Sequence, residues 1–326
     1  MYFYNSLNPK KQILPIFVNG YGLPSDDQRL VIVEQIATNP RAELIVFDKS
    51  LGPEDNELEY LDWIAELNLQ QDFIVATSNY HYHFDKHAKI VHLPRYYASM
   101  LRDPHNQRPN IATLRPHKIS CLTKNPWTHK TLNFVAMSKQ PWFDCVQKSF
   151  GWIYPDISEQ YNYLSTDVLN IITAQDADYL RSIYPLRLSA TDDMDKFESN
   201  ACSTYQTCYI DYLPESRTEN TFISEKTWKP IFSGQLFLIL GSVGTIKYLR
   251  AVGVDVFDDV IDHSYDQESD LQTKISMLMT AITDLLNKDL DQVWVNTYHR
   301  RQKNLDLVYS LEFQTCMFGD IINRIC

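Results

Sequence analysis

The stretch that most constrains the fold is a short apolar run, Leu236–Leu240, which lies between Gly234 and Gly241. Five consecutive apolar residues bounded by glycines are typical of a central strand in a parallel sheet. A helical pattern begins before it at Ser224, a good capping residue, and Gly234 suits the left-handed residue that ends a helix. A glycine turn then leads into a second helix at Ile246–Val252. The region therefore predicts a helix, a buried strand and a second helix whose N-terminus suits an anion.

Strands also alternate with helices in the first hundred residues. Ser25 predicts the start of the first helix. Short apolar runs predict strands at 13–18, 43–47, 72–77 and 89–93. This alternation is typical of a parallel sheet with helices on both faces. The chain lacks G-x-G-x-x-G, the fingerprint of dinucleotide-binding proteins. We therefore expect an α/β protein, and the length of 326 residues fits two domains.

Three prolines mark a predicted linker at 101–117. Beyond it, strands are predicted at 118–122 and 204–213, and helices at 128–138, 158–183 and 271–287. The predicted organisation is an N-terminal α/β domain at 1–100, a C-terminal α/β domain at 118–288 and a helical tail at 289–326.

The composition disfavours several classes of protein. No apolar run approaches the ~18 residues of a membrane span, so none is expected. The N-terminus MYFYNSLNPKK lacks the order of a signal peptide, and six scattered cysteines without a C-x-x-C pair predict reduced thiols. We therefore expect a cytoplasmic protein. A net charge of −11 disfavours a general nucleic-acid binder.

Positive charge is nevertheless concentrated between Lys86 and Lys148. This window holds eleven lysines and arginines and five histidines, against only two aspartates. One interpretation is a solvated surface that balances acidic neighbours. The other is a lining for phosphate-bearing ligands, in which Tyr96, Tyr97 and Trp127 stack on an extruded nucleic-acid base.

Three blocks of the chain resemble a known family. They are Phe222–Ile231 (FISEKTWKPI), Gly241–Arg250 (GSVGTIKYLR) and Asp262–Asp266 (DHSYD), and a weaker match lies at Lys118–Lys130. Their sequence and spacing are similar to fucosyltransferase-like glycosyltransferases encoded by phages and large viruses, which are related to α1,3-fucosyltransferases. The resemblance implies a GT-B-like fold, in which two Rossmann-like α/β domains face a cleft and the helical tail returns to the first domain. It also implies that a viral enzyme of this kind works in the host cytoplasm.

The resemblance assigns the donor substrate to the C-terminal domain. Lys226 would neutralise the departing diphosphate, and Glu225 would hold the ribose hydroxyls. Lys130 stands where the family has an arginine, so the charge remains but the two-pronged phosphate contact is lost. The other predicted donor-binding residues are Lys124, Asn125, Glu215, Ser216, Phe222, Ser242, Gly244 and Thr245.

The group that deprotonates the acceptor is less clearly indicated. The family uses a glutamate just beyond a strand of the N-terminal domain, but the most similar segment here, Thr77–His81, contains no carboxylate. His81 is the first candidate, because the unperturbed pKa of histidine lies near neutrality. Asp48 and Asp85 are alternatives.

Two D-x-D sequences match the motif of metal-dependent glycosyltransferases. Asp176–Asp178 lies in a helical pattern, where residues two apart point in different directions, and Asp289–Asp291 suits a helix start. We therefore expect no required metal, and no cofactor.

The predicted reaction transfers a sugar from a nucleotide-diphosphate sugar, such as a GDP- or UDP-sugar, with inversion at the anomeric carbon. Two acceptors fit: a glycan, which suits the overall negative charge, and hydroxymethylpyrimidine DNA, which suits the basic window. A catalytically silent nucleotide- or sugar-binding module is the alternative function.

Overall fold

The computed structural model describes residues 10–18, 23–49, 56–102, 108–122, 128–149, 173–183, 203–219 and 222–325. The chain divides into two compact units. The first unit comprises Met1–Ser99, Glu219–Ile223 and Tyr309–Cys326, and the second comprises Met100–Thr218 and Ser224–Val308.

The first unit is built on a four-stranded parallel sheet with the order β1-β2-β3-β4. Ser25 caps the first helix as predicted, because its side chain and that of Gln28 form a capping box. In chain order the elements are β1 (Ile13–Phe17), α1 (Asp26–Ala37), β2 (Leu44–Asp48), α2 (Glu57–Glu66), β3 (Asp72–Thr77), α3 (His81–Phe84), β4 (Ile90–His92) and α4 (Arg95–Arg102).

The second unit has its own four-stranded parallel sheet, with the order β6-β5-β7-β8. Its strands are β5 (His117–Leu122), β6 (Val146–Ser149), β7 (Cys208–Pro214) and β8 (Leu236–Leu240). Its helices are α5 (Thr128–Ser138), α6 (Ala174–Ile183), α7 (Ser203–Thr207), α8 (Glu225–Phe232), α9 (Thr245–Ala251), α10 (Leu271–Leu286), α11 (Leu290–Asn296) and α12 (Tyr298–Tyr309). Two 3₁₀ turns lie at Phe143–Cys145 and Ser264–Gln267.

The predicted α/β fold class is therefore confirmed, with two Rossmann-like units of the kind that compose a GT-B-like protein. The strand predicted at 204–213 begins only at Cys208, because 203–207 form a helical turn. Of the helix predicted at 158–183, the described part is α6. The short strand β6 carries no strong apolar run and was not predicted.

Glycine is required at the end of α8. Gly234 adopts a φ of +62°, and a Cβ built on it would lie 2.5 Å from a side-chain carbon of Ile111. A larger residue would meet both the left-handed strain and this contact. The chain can therefore turn directly into β8, whose five residues are all buried.

The last described helix, α13 (Leu311–Ile325), belongs to the first unit, whereas α11 and most of α12 belong to the second. Ile321 and Ile325 join the apolar core formed by one face of the first sheet, beside Val46 and Ile74. The predicted tail at 289–326 is thus divided at 308 because only its final helix carries the apolar face that covers β4.

The described part of the predicted linker is fixed to the second unit. The Trp294 indole donates to the carbonyl of Thr113, and the buried Arg301 guanidinium donates to the carbonyl of Ile111. Arg301 also lies against the Trp294 ring, with 3.3 Å between its guanidinium carbon and the ring centroid. Residues 111–113 therefore behave as a packed segment of this unit. Within the described residues, no helix is both long and apolar enough to cross a membrane.

Candidate active site

The second sheet reverses its direction of growth between β5 and β7. Strand β5 pairs with β6 on one side and with β7 on the other, and all of these pairs are parallel. The carboxyl ends of β5 and β7 therefore lie side by side at a topological switch point. Open α/β sheets bind ligands in the crevice at such a point.

Glu215 organises the chain immediately after β7. It is fully buried, and its carboxylate accepts hydrogen bonds from the amides of Ser216 and Ser224 and from the hydroxyls of Ser224 and Thr227, at 2.5–3.1 Å. Its backbone oxygen lies 3.0 Å from Nε2 of His129, on the first turn of α5. Glu215 thus connects the segment after β7 to the start of α5.

The first turn of α8 carries the predicted catalytic lysine. Ser224 caps the helix, as predicted, by accepting from the amide of Lys226. The Lys226 ammonium donates to Oγ of Ser216 at 2.9 Å and to the Glu225 carboxylate at 3.3 Å. Burial lowers the pKa of Lys226, but Glu225 and Glu215 outweigh it, so the pKa is raised overall. The lysine is therefore held in its charged form.

Glu225 lies between two ammonium groups. Its carboxylate is 3.3 Å from Nζ of Lys226 and 3.9 Å from Nζ of the buried Lys229. Burial acts to raise the pKa of Glu225, yet these two lysines lower it to about 2. Glu225 is therefore ionised throughout the physiological range.

Lys130 adds a third cation from the first turn of α5. It is buried, and this burial, followed by repulsion from Lys226, lowers the pKa of Lys130 to about 7, although Glu215 and Glu225 act in the opposite direction. Among the described residues, Lys130, Lys226 and Lys229 thus lie at this site with Glu215 and Glu225, and the buried Asp211 also acts on Lys229. Protonation of Lys130 adds one positive charge to the cluster.

The glycine turn after β8 is different from the predicted anion seat. Gly244 adopts a φ of +85°, and its amide donates to the carbonyl of Asp266. The Asp266 carboxylate accepts from the amides of Ile246 and Lys247 at 2.9 and 3.1 Å. Ser242 and Thr245 hydrogen-bond to each other. Of the amides predicted to meet a phosphate, that of Gly244 donates to a backbone carbonyl, as does that of Thr245, and the Asp266 carboxylate takes the next two amides of the helix.

The first unit contains the predicted base candidates at the ends of two strands. Asp48 ends β2, is buried, and pairs with Arg95 at 3.3 Å. His81 begins α3, just after β3, and its exposed ring lies 2.8 Å from the Asp85 carboxylate through Nε2. Phe222, predicted to bind donor, belongs to this unit and forms a backbone bridge with Asn79.

Sequence reasoning missed a buried charge pair beside these residues. Glu57, at the start of α2, lies 3.6 Å from Nζ of Lys49, and neither side chain is exposed by more than 2%. Thr77 donates its hydroxyl to Glu57 and accepts from the amide of Asn79. The segment 77–79 does therefore have a carboxylate neighbour, but it comes from a residue twenty positions earlier. No local motif around Glu57 marks this contact.

Five described cations of the basic window have acidic partners within their own unit. Such pairs are Lys86 with Asp320, Lys89 with Asp72, Arg95 with Asp48, Arg108 with Asp306, and Lys139 with Asp176. Tyr97 is buried and packs against Phe313, so its ring is not available to stack on a base. These contacts favour the interpretation of the window as a balanced protein surface.

The D-x-D aspartates also have structural partners. Asp176 pairs with Lys139 on α5, Asp289 caps α11, and Asp291 accepts from the hydroxyl of Tyr209. Lys124, Asn125 and Trp127 lie outside the described residues, so their predicted roles stay predictions.

Among solved structures, the chain is similar in fold to an α1,3-fucosyltransferase. The crystal structure of an α1,3-fucosyltransferase matches 97% of this chain and 93% of its own, with a TM-score of 0.35 and 13% sequence identity. No protein-family description and no curated protein sequence matches the chain.

Proposed function

We propose that the chain is a glycosyltransferase that uses a nucleotide-diphosphate sugar, and that its second unit binds the donor. The observation that carries the proposal is the convergence of Lys130, Lys226 and Lys229 on two carboxylates at the carboxyl ends of β5 and β7. Each ammonium group is costly to remove from water, so a cluster of three is better explained by a role in binding an anion than by stability alone. The oxygens of a diphosphate would accept hydrogen bonds from these lysines.

The chemistry follows from where charge develops. As the sugar leaves the diphosphate, negative charge grows on the phosphate oxygens, and preorganised cations stabilise that change. Lys226 is held in place by Ser216 and Glu225, so little reorganisation is required of it. Glu225, held ionised, is suited to accept hydrogen bonds from ribose hydroxyls. Inversion and independence of metal are part of the proposal.

For the acceptor, we propose His81 as the base. Its Nε2 lies against Asp85, and this contact orients the ring and leaves Nδ1 to accept a proton. Asp48 is less suited to the role, because it is buried and paired with Arg95. Both a glycan and modified DNA remain candidate acceptors at this level of the proposal.

A ligand screen followed by a turnover assay tests the proposal. The melting temperature is measured with GDP-, UDP-, CMP- and dTDP-sugars, and hydrolysis of the stabilising donor is then followed. We expect stabilisation by one class of nucleotide sugar, and a loss of turnover of about 100-fold in Lys226→Ala. Lys303→Ala, which removes an exposed lysine of α12, is the matched control and should be unchanged.

Two outcomes would count against the proposal. Failure of every nucleotide sugar to raise the melting temperature would exclude the donor site. Binding without turnover, with no change on substitution of Lys226, would instead favour the catalytically silent module.

A further inference from the structure

Lys229 contacts Glu225 from the interior of the second unit. It is only 1% exposed, yet its ammonium lies 3.9 Å from Oε1 of Glu225, one turn earlier on α8. Lys226 contacts the same oxygen at 3.3 Å, and the side chains of Glu225 and Lys226 are 17% and 14% exposed. The Glu225 carboxylate is therefore held by Lys229 on its buried side and by Lys226 on the side open to a ligand.

A second buried carboxylate interacts with Lys229. Asp211, in β7, is 1% exposed, and its Oδ1 accepts from the hydroxyl of Ser120 on β5 at 2.8 Å. Its Oδ2 has no hydrogen-bond partner among the described residues. Burial raises the pKa of Asp211 to about 7, while the hydrogen bond from Ser120 and the charge of Lys229 act to lower it. The Lys229 ammonium thus acts on two carboxylates, one in the sheet and one at the start of α8.

Stability alone does not account for this buried chain of charges. Charged groups are costly to remove from water, and replacement of a buried ion pair by apolar side chains is often neutral or stabilising. The start of α8 is also weakly fixed by its own backbone, because the helix has eight residues and Pro230 inside it cannot donate to the carbonyl one turn earlier. Side-chain contacts must therefore supply much of the order at Glu225.

Under the proposed function, on which this inference rests, Glu225 accepts hydrogen bonds from the ribose hydroxyls of the donor. Such contacts discriminate between ligands only when the carboxylate is held in one place. We propose that Lys229, itself held by Asp211, is a positioning residue that fixes the Glu225 carboxylate for the ribose. The preference of the site for ribose over a sugar without these hydroxyls then depends on two residues that do not touch the nucleotide.

Calorimetric titration of the full chain tests this inference. The probes are GDP, UDP, CDP and ADP, each compared with its 2′,3′-dideoxy form, and the measured quantity is the dissociation constant of the dideoxy form divided by that of the ribose form. For the nucleotide that binds, we expect a ratio of about 30 in the unaltered protein, because hydrogen bonds to a charged group are lost with the hydroxyls. Glu225→Gln changes the contacting group itself and should reduce the ratio to about 3.

Two substitutions behind Glu225 test the positioning role. Lys229→Met keeps the length of the side chain without its charge, and it should lower the ratio about fivefold. Asp211→Asn keeps an acceptor for Ser120 and should lower the ratio about threefold. In the double variant the ratio should equal that of Lys229→Met, because Asp211 acts through Lys229. The matched control is Lys274→Met, which removes another buried ammonium, a donor to the carbonyl of Gly241, and should leave the ratio unchanged.

The ratio separates positioning from general destabilisation. It compares two ligands on the same variant, so a smaller folded fraction raises both dissociation constants alike and cancels. Asp211→Asn changes almost no volume, which keeps the test available if Lys229→Met does not fold.

Three results would overturn the inference and leave the donor site standing: equal ratios in Lys229→Met and Lys274→Met, an unchanged ratio in Asp211→Asn, or a nucleoside diphosphate that binds the unaltered protein without preference for ribose. A further fall in the ratio when Asp211→Asn is added to Lys229→Met would exclude the order of action proposed here. If none of the four nucleoside diphosphates binds, the proposed donor site fails and this inference fails with it. The two failures are therefore distinguishable.

Discussion

Two helix N-termini in the second unit, those of α8 and α9, differ in what satisfies their backbone amides. Both follow a strand of the same sheet, and both were predicted to meet the donor. At α9 the backbone amides of Ile246 and Lys247 are capped by Asp266. At α8 the cap is Ser224, and the helix instead presents lysine side chains braced by buried Glu215.

The difference teaches that a glycine turn before a helix does not by itself define an anion site. The amides must also lack an acceptor within the protein, and at α9 a carboxylate twenty residues away supplies one. At α8 the backbone is equally satisfied, but three lysine side chains, Lys130, Lys226 and Lys229, lie at the site. At α8 an anion would therefore be recognised by lysine side chains rather than by backbone amides, because its negative charge would pair with their ammonium groups.

Of the substitutions at these two helix starts, removal of the Glu215 carboxylate should reduce the free energy of unfolding most. Glu215→Ala leaves four donors without their acceptor in a buried place, so the free energy of unfolding should fall by about 3 kcal/mol, measured by urea denaturation. Glu59→Ala is the control, because that carboxylate of α2 is exposed and its loss should cost little. Equal losses in the two variants would contradict the bracing role of Glu215.

Asp266→Ala should destabilise the protein by about 2 kcal/mol, because the amides of Ile246 and Lys247 lose their carboxylate acceptor and the helix dipole loses its negative partner. The affinity for the stabilising nucleotide, measured by calorimetry, should stay within about twofold. A large loss of affinity at intact stability would show that α9 takes part in donor binding after all.

The Lys130 ammonium predicts a pH dependence of diphosphate binding. Its pKa is about 7 in the ligand-free protein, and an anion favours the protonated form. Above pH 7, binding must therefore include proton uptake, so the affinity for a nucleoside diphosphate should fall about tenfold between pH 6 and pH 8. Lys130→Arg keeps its charge over this range and should flatten the profile. A flat profile in the unaltered protein would exclude Lys130 from the ligand's surroundings.

Gly244→Ala should have the smallest effect, about 1 kcal/mol of unfolding free energy, because alanine is strained at a φ of +85°. Donor affinity should not change. Thermal denaturation with and without nucleotide measures both quantities. If the binding free energy falls by more than the free energy of unfolding, this turn does contact the phosphate.

Much of the fold followed from local patterns. Asp72–Thr77, Leu236–Leu240 and the helix at 128–138 were predicted at the bounds that the structure has, since apolar runs and caps are properties of adjacent residues. The short helices α3 and α4 and the strand β6 were missed, because eight residues or fewer carry too little periodicity.

The site was predictable only where a side chain sits in a recognisable block. Glu225 and Lys226 came from such a block, and the structure brings them together with Lys130 and Glu215. The cap by Asp266 and the Glu57–Lys49 pair depend on the register of distant elements. No spacing rule along the chain marks such contacts.

The position of α13 has a consequence for synthesis on the ribosome. The sheet of the first unit is complete once the first hundred residues have emerged, yet the face that includes Ile13, Leu44 and Val91 is covered by Ile321 and Ile325. During translation of the intervening two hundred residues this face has no native cover, and exposed apolar surface of that kind promotes aggregation. Nascent chains should therefore depend on chaperones until release, and a stop codon shortly before position 311 should yield insoluble protein even though every residue of the donor cluster is present.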